Sequence, residues 1–194
     1  KSLDKIDGMF AFAIFHNNEL NLVTDYFGEK PLYLYESKEG IFFSSEISVL
    51  IKILSLKYYS NEEQKKQFLM FGYNTNFETG YDRIELIKPA TIINFDQYRQ
   101  KSIKNYWKKN PINYYDSKQK FEKEDYKNLL NILLESLETR LHCDVPIGLF
   151  LSSGIDSSLI AALSKKELNL DLNCFTVSFN SKNDETNIAS KIAN

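Results

Sequence analysis

Residues 152–158 read "SSGIDSS", a knot of hydroxyl, glycine and carboxylate residues set between the apolar runs "VPIGLFL" and "LIAALSKK". Ser152, Ser153, Ser157 and Ser158 offer hydroxyl donors, and Gly154 permits a backbone φ that a side chain would forbid. Hydroxyl and backbone N–H donors gathered at one point suit phosphate oxygens. Asp156 adds a charge that phosphate would repel unless a cation intervened, and Mg²⁺ commonly bridges one or two carboxylates to phosphate oxygens. The chemistry indicated is binding of a magnesium polyphosphate, with Asp156 as the metal ligand. The pattern GxxxxGK[ST] is absent, since no lysine follows the glycine, so the nucleotide chemistry is not that of the Walker loop. The same composition also suits an ordinary turn and helix cap, which Gly, Ser and Asp all favour.

Positioning such a knot requires particular elements. "IGLFL" reads as a buried strand and "SSLIAALSKK" as a helix, which makes "SSGID" the tight turn between them. A helix start leaves backbone N–H groups without internal partners and carries partial positive charge, so it attracts anions. Upstream, Tyr126, Leu130, Leu133, Leu137 and Leu141 recur at three and four, the period of an amphipathic helix. Downstream, "LNCFTVSF" is a second apolar strand, and "KIAN" reads as part of a further helix. Helix, strand, helix, strand, helix is the order of a parallel doubly wound sheet, where ligands bind beyond the carboxyl ends of the strands.

The first half follows a different grammar. From Gly8 to Phe43, short Phe- and Tyr-rich runs broken by "HNNE" and "KEG", with Gly28 in a further turn and Pro31 fixing the entry of the next strand, predict an antiparallel meander. Helices are expected over 45–54 and 61–71, the second opened by a capping box of Ser60 and Glu63, with their apolar residues against the sheet. "IELIKPATIINFD" and "SIKNYW" read as further strands, interrupted at Pro89. Residues 108–120, polar and containing Pro111, are the expected linker. The fold class is therefore α+β over 1–107, then α/β over 121–194.

The totals narrow the function. With 194 residues, 43% hydrophobic and 14% aromatic, the chain is long and apolar enough to fold, and a net charge of −2 without charge blocks excludes a broad nucleic-acid or membrane footprint. No run approaches the roughly 20 apolar residues of a membrane span, and residues 1–19 lack a signal-peptide layout, so a cytoplasmic location is expected. Cys143 and Cys174 are far apart, and His16 and His142 are isolated, which gives neither a disulfide framework nor a zinc site. Beginning at Lys1 and ending within a helical pattern, the chain reads as a fragment.

"RLHCDVPIGLFLSSGIDSSLIAAL" resembles the pyrophosphate loop of the asparagine synthetase family, usually written Ser-Gly-Gly-x-Asp-Ser. Ser152, Gly154, Asp156 and Ser157 match it, while Ser153 replaces the first glycine. "CFTVSFNSKNDETNIASKIA" looks like the next strand and helix, with Val177 where the backbone meets adenine and Asp184-Glu185 at the acidic pair. "DGMFAFAIF", "DYFGEKPLYLY", "FFSSEISVL", "IELIKPATIINFD" and "NYW" resemble the later part of the glutaminase domain, with Ala90 where the family commonly has Gly.

The resemblance implies the end of an Ntn-hydrolase-type glutaminase domain, built from antiparallel sheets with helices, over 1–107. It also implies the start of a PP-loop ATP pyrophosphatase domain over 121–194. Such enzymes use Mg²⁺ and ATP to adenylate aspartate, and ammonia freed from glutamine then gives asparagine; a homodimer is compatible with the full-length enzyme. Leu151, Ser152, Ser153, Gly154, Asp156, Ser157, Ser158 and Val177 would hold ATP, with Leu151 and Val177 walling the adenosine. The family's amino-terminal Cys nucleophile and Asn-Gly segment have no counterpart in this chain, so no glutaminase catalytic residue is assigned and the chain alone is expected to be inactive. Alternatives are a relative amidating another carboxylate, as in polysaccharide assembly, and a non-catalytic remnant. Asp184 and Glu185 could face the nucleotide or serve as dipole partners in a first helical turn.

Overall fold

The structure, a computed structural model, describes residues 3–57, 62–74, 77, 79–81, 83–107, 122–178 and 184–193. The expected linker 108–120 and the capping residue Ser60 lie outside the described residues. Two compact units are distinguished, Lys1–Ile112 and Asn113–Asn194.

The first unit begins with a short 3-10 turn, Leu3–Lys5, followed by β1 (Ala11–His16) and β2 (Glu19–Thr24). These two strands form an antiparallel hairpin whose turn residues Asn17 and Asn18 have φ of 50° and 61°. That left-handed pair is what a two-residue hairpin turn requires to match strand twist. β3 (Tyr33–Glu36) and β4 (Ile41–Ser44) form a second hairpin, α1 (Ile47–Leu54) and α2 (Glu62–Phe71) follow, and β5 (Ile84–Leu86), β6 (Thr91–Phe95) and β7 (Lys101–Asn105) complete the unit.

The expected single meander is instead divided between two antiparallel sheets, ordered β1-β2-β6-β7 and β4-β3-β5. The break falls at "DYFGEKPL", and its physical cause is Asp25. This 2%-exposed carboxylate accepts the N–H groups of Phe10 (3.2 Å), Phe27, Glu29 and Lys30 (3.0 Å each). The backbone that would have paired β2 with β3 is thereby wound around one side chain. Burial opposes the Asp25 charge, yet the four N–H donors outweigh it and hold the carboxyl below its ordinary range. Gly28 takes a φ of +66°, and a Cβ there would lie 3.0 Å from Pro89 Cγ, so the tight turn needs glycine.

Leu22, Ile93 and Phe95 from the first sheet pack with Leu34 of β3 and its neighbours Leu32 and Ile87 to make the buried core. Lys101 on β7 pairs with Glu36 on β3 (2.6 Å) and with Glu85 on β5, joining the sheets at their polar margin. Burial disfavours the Lys101 charge, but the two glutamates outweigh it and raise its pKa above the ordinary value. The Tyr106 hydroxyl donates to the Thr24 carbonyl at 2.6 Å; burial first, then the charges of Tyr26 and Asp25, push it up to about 12. Ala90 has φ 50° and is buried.

The helix expected over 45–54 begins at Ile47, and the second departs from its expected packing. Glu46 occupies the N-cap position of α1 without making a side-chain cap, and Ser44 Oγ accepts the Glu46 N–H instead. Phe68, Leu69, Met70 and Phe71 of α2 are exposed, Leu69 at 84%, rather than packed on a sheet. Four consecutive apolar residues, each rotated by about 100° from the last, cannot share one helix face.

The second unit runs α3 (Lys123–Leu141), β8 (Gly148–Phe150), α4 (Ile155–Lys166), β9 (Asn173–Phe175) and α5 (Thr186–Ala193), in the expected order. α3 opens on a reciprocal cap between Glu122 and Asp125. Its half-buried stripe is Leu130, Leu134, Leu137 and Leu141; Leu133 is exposed, so the true stripe steps by four, three and four. β8 and β9 pair in parallel, with Leu149 opposite Cys174. Described residues give only these two strands in the ladder, and Phe150 is 81% exposed, so the predicted burial of "IGLFL" holds for Leu151 alone among its large residues.

Candidate functional site

The turn between β8 and α4 is built by its own serines. Leu151 is 3% exposed, and its N–H bonds the Phe175 carbonyl at 2.8 Å, which fixes the end of β8 against β9. From there the chain bends. Ser157 Oγ accepts the Ser152 N–H at 3.2 Å and lies 2.9 Å from Ser152 Oγ, which itself accepts the Gly154 N–H at 3.1 Å. The Ser158 hydroxyl donates to the Gly154 carbonyl at 2.6 Å. Three of the four serine hydroxyls are therefore spent on shaping the loop.

Gly154 is the N-cap of α4, with φ −72° and ψ 151°. Any residue adopts that backbone, so the expectation that glycine supplies a forbidden φ is corrected. Space explains it instead: a Cβ at residue 154 would meet Ser152 Oγ at 3.1 Å, inside the hydrogen-bonded knot.

What remains unspent is the first turn of the helix. Among the described residues, no acceptor meets the N–H groups of Ile155, Asp156 and Ser157, and no partner meets the Ser153 hydroxyl. Ile155 is 85% exposed, so these donors stand at an open end. They carry the partial positive charge of the helix start and can bind oxyanions. Asp156, on the same turn, is exposed and has no described partner. No group of three His, Cys, Asp or Glu side chains able to hold a metal occurs among the described residues. Asp156 thus fits a magnesium ion whose other ligands are phosphate oxygens and water, the usual arrangement for this cation, and does not fit a preformed protein cage.

The acidic pair divides its labour. Asp184 Oδ1 accepts the Thr186 N–H at 2.9 Å, and the Asp184 carboxylate also bonds the Thr186 and Ser178 hydroxyls, so Asp184 fastens the start of α5. Glu185 Oε2 instead accepts the Ser153 N–H at 3.0 Å, reaching from the residue before α5 to the loop. Val177 is exposed, two residues beyond the carbonyl that holds Leu151, whereas the Leu151 side chain is turned into the interior. His142 is the C-cap of α3, and Cys143 and Cys174 are exposed free thiols. A hollow of about 660 Å³ opens at the opposite end of α4, between Ala161, Lys165, Leu170 and Ile192, away from the loop.

The reading of side chains alone missed Ile155, whose contribution is a backbone N–H. Its signal was the helix start itself, which leaves the first N–H groups unpaired whatever the residue type.

Comparison with known proteins bears on these same segments. Residues 1–107 match the family described as glutamine amidotransferase domain, and residues 128–194 match the family described as asparagine synthase. Asparagine synthetase [glutamine-hydrolyzing] 1 of Bacillus subtilis is 28% identical over all of the chain, which spans 30% of that relative's length. Asparagine synthetase [glutamine-hydrolyzing] 2 of the same organism is 30% identical over 90% of the chain, and the mouse protein named asparagine synthetase [glutamine-hydrolyzing] 28% over 87%. The chain spans about a quarter to a third of the length of these relatives. With both family matches on one chain and this similarity across it, the chain belongs to the glutamine-hydrolysing asparagine synthetase family.

Proposed function

We propose that the chain is the portion of a glutamine-dependent asparagine synthetase that joins a glutaminase domain of Ntn-hydrolase type (1–107) to the ATP-binding start of a PP-loop synthetase domain (121–194). In the proposed reaction an oxygen of the aspartate side-chain carboxylate attacks the α-phosphorus of ATP. The bond to the β-phosphate oxygen breaks, and pyrophosphate leaves with the electron pair. Ammonia from glutamine then attacks the acyl carbon and gives up a proton to solvent, and AMP departs with its bridging oxygen and the electron pair, leaving the amide.

The part assigned to this chain is charge stabilisation on the leaving pyrophosphate. Fixed donors act best where charge grows during the reaction, because they need no reorganisation. The N–H groups of Ile155, Asp156 and Ser157 and the Ser153 hydroxyl are such donors, and Ser152 and Ser157 hold the loop in shape behind them. Bound Mg²⁺ would supply additional positive charge on the phosphates, held on the protein side by Asp156. Val177 and the backbone around Leu151 are assigned to the adenosine.

The observation that carries the proposal is the set of three unpaired N–H groups beside an unpaired Asp156 at the carboxyl end of a parallel strand. Calorimetric titration of the protein with pyrophosphate, with and without Mg²⁺, tests it. Expected are magnesium-dependent binding and, in Asp156→Asn, loss of most of the magnesium dependence with helix content unchanged. Equal binding by Asp156→Asn, or no binding of pyrophosphate by the folded protein, would refute the assignment.

A further inference from the structure

Glu185 stands in a position that the proposed ligand needs. Its Oε2 accepts the Ser153 N–H at 3.0 Å across 32 residues of sequence, and Ser153 directly precedes the glycine that caps α4. We propose that the Glu185 side chain is a displaceable latch: it occupies a loop N–H that a phosphate oxygen competes for, and swings away when the polyphosphate seats. The inference rests on the nucleotide reading above and assigns that site a conformational control.

Three features fit a latch better than a fixed strut. First, the anchoring of α5 does not depend on the Glu185 side chain. Asp184 takes the Thr186 N–H, and the Glu185 carbonyl accepts the N–H groups of Ile188 (3.1 Å) and Ala189 (2.9 Å), so the side chain can rotate while the helix start stays in place. Second, the Glu185 carboxylate is exposed and has the Ser153 N–H as its one described partner, so water replaces that bond on release at small net cost. Third, one N–H cannot serve a carboxylate and a phosphate oxygen equally well, and two anions at that spot repel each other. The carboxylate thus competes with an oxyanion in both geometry and charge.

The consequence is a reduced apparent affinity in the wild type. A latch closed about nine-tenths of the time weakens apparent binding about tenfold, because only the open fraction is competent. Removing it relieves that penalty, the reverse of what loss of a binding residue does.

The test is titration of the protein, Glu185→Gln and Glu185→Ala with magnesium pyrophosphate, paired with hydrogen exchange at the Ser153 amide. Roughly fivefold to tenfold tighter binding is expected in Glu185→Ala, and a smaller gain in Glu185→Gln, whose amide oxygen still accepts the Ser153 N–H but carries no charge. Ser153 amide protection without pyrophosphate should fall in Glu185→Ala, and pyrophosphate should restore it. Binding in Glu185→Ala that is no tighter than in the wild type overturns the latch and leaves the nucleotide site standing, with Glu185 as a strut or an extra ligand. Failure of all three proteins to bind, with native helix content, overturns the nucleotide reading and the latch together. Unaltered Ser153 protection in Glu185→Ala overturns the latch whatever the affinities.

Discussion

At Asp25 burial and charge pull in opposite directions, and four backbone donors decide the outcome. Asp25→Asn replaces one acceptor oxygen by an NH₂ group that faces N–H donors already without an alternative partner. A loss of about 3 kcal/mol of unfolding free energy is expected, measured by urea denaturation at neutral pH. The pH dependence follows from the sign of the shift. The folded pKa lies below the ordinary 3.8, so the unfolded chain takes up this proton first as pH falls. The stabilisation is therefore fully present above the unfolded value and disappears as pH drops from about 4 through the depressed folded value. Asp25→Asn should lack that portion of the acid loss; identical acid slopes in both proteins would remove Asp25 from the account. Gly28 and Pro31 announced a turn here, because their backbone restrictions are properties of single residues. The carboxylate that organises the turn was not legible, since its four donors come from Phe10, Phe27, Glu29 and Lys30, and only the folded backbone brings them to one point.

At the scale of elements, what the sequence conveyed was the order of strands and helices, and what it withheld was which strands pair. Short alternating runs predict strands, but β2 is drawn to β6 and β3 to β5 by sheet packing around Leu22, Leu34, Ile93 and Phe95, the pairs lying as far apart in sequence as Leu20 and Phe95. The β8–α4 turn was more legible because its logic is local: strand, small residues, helix start. Even there the reason for Gly154 differed, being space rather than dihedral freedom, and this separates stability from binding. Gly154→Ala keeps an allowed backbone and lowers the entropy of the unfolded chain, so melting should stay within about 1 kcal/mol of wild type. The new methyl, 3.1 Å from Ser152 Oγ, must displace the hydroxyl that holds the Gly154 N–H. A several-fold loss of magnesium pyrophosphate affinity at unchanged stability is expected from paired calorimetry and thermal melts. Full affinity in Gly154→Ala would mean that the Ser152–Ser157 knot does not shape the site.

For the whole molecule, the two units differ in how much apolar surface they bury. The first holds Leu22, Leu32, Leu34, Ile87, Ile93 and Phe95 in one cluster, with Lys101 paired to Glu36 and Glu85 beside it. Among its described residues the second buries the apolar side chains of Leu151, Leu163 and Ala189, and it also buries the Ser164 hydroxyl without a partner. Burial of a large apolar side chain contributes about 1.5–3 kcal/mol and an unpaired buried hydroxyl costs about 1–3, so the second unit is the less stable. Two thermal transitions are therefore expected by scanning calorimetry, the lower belonging to 113–194. Magnesium pyrophosphate at about 100 times its dissociation constant stabilises the unit that binds it by about 2.7 kcal/mol, which for a unit of this size is a rise on the order of 10 °C. That rise should appear in the lower transition alone, while Asp25→Asn lowers the upper one alone. A ligand shift confined to the upper transition would place the anion site in 1–112 and contradict the role given to Ile155, Asp156 and Ser157. A single transition moved by both perturbations would show that the two cores melt as one.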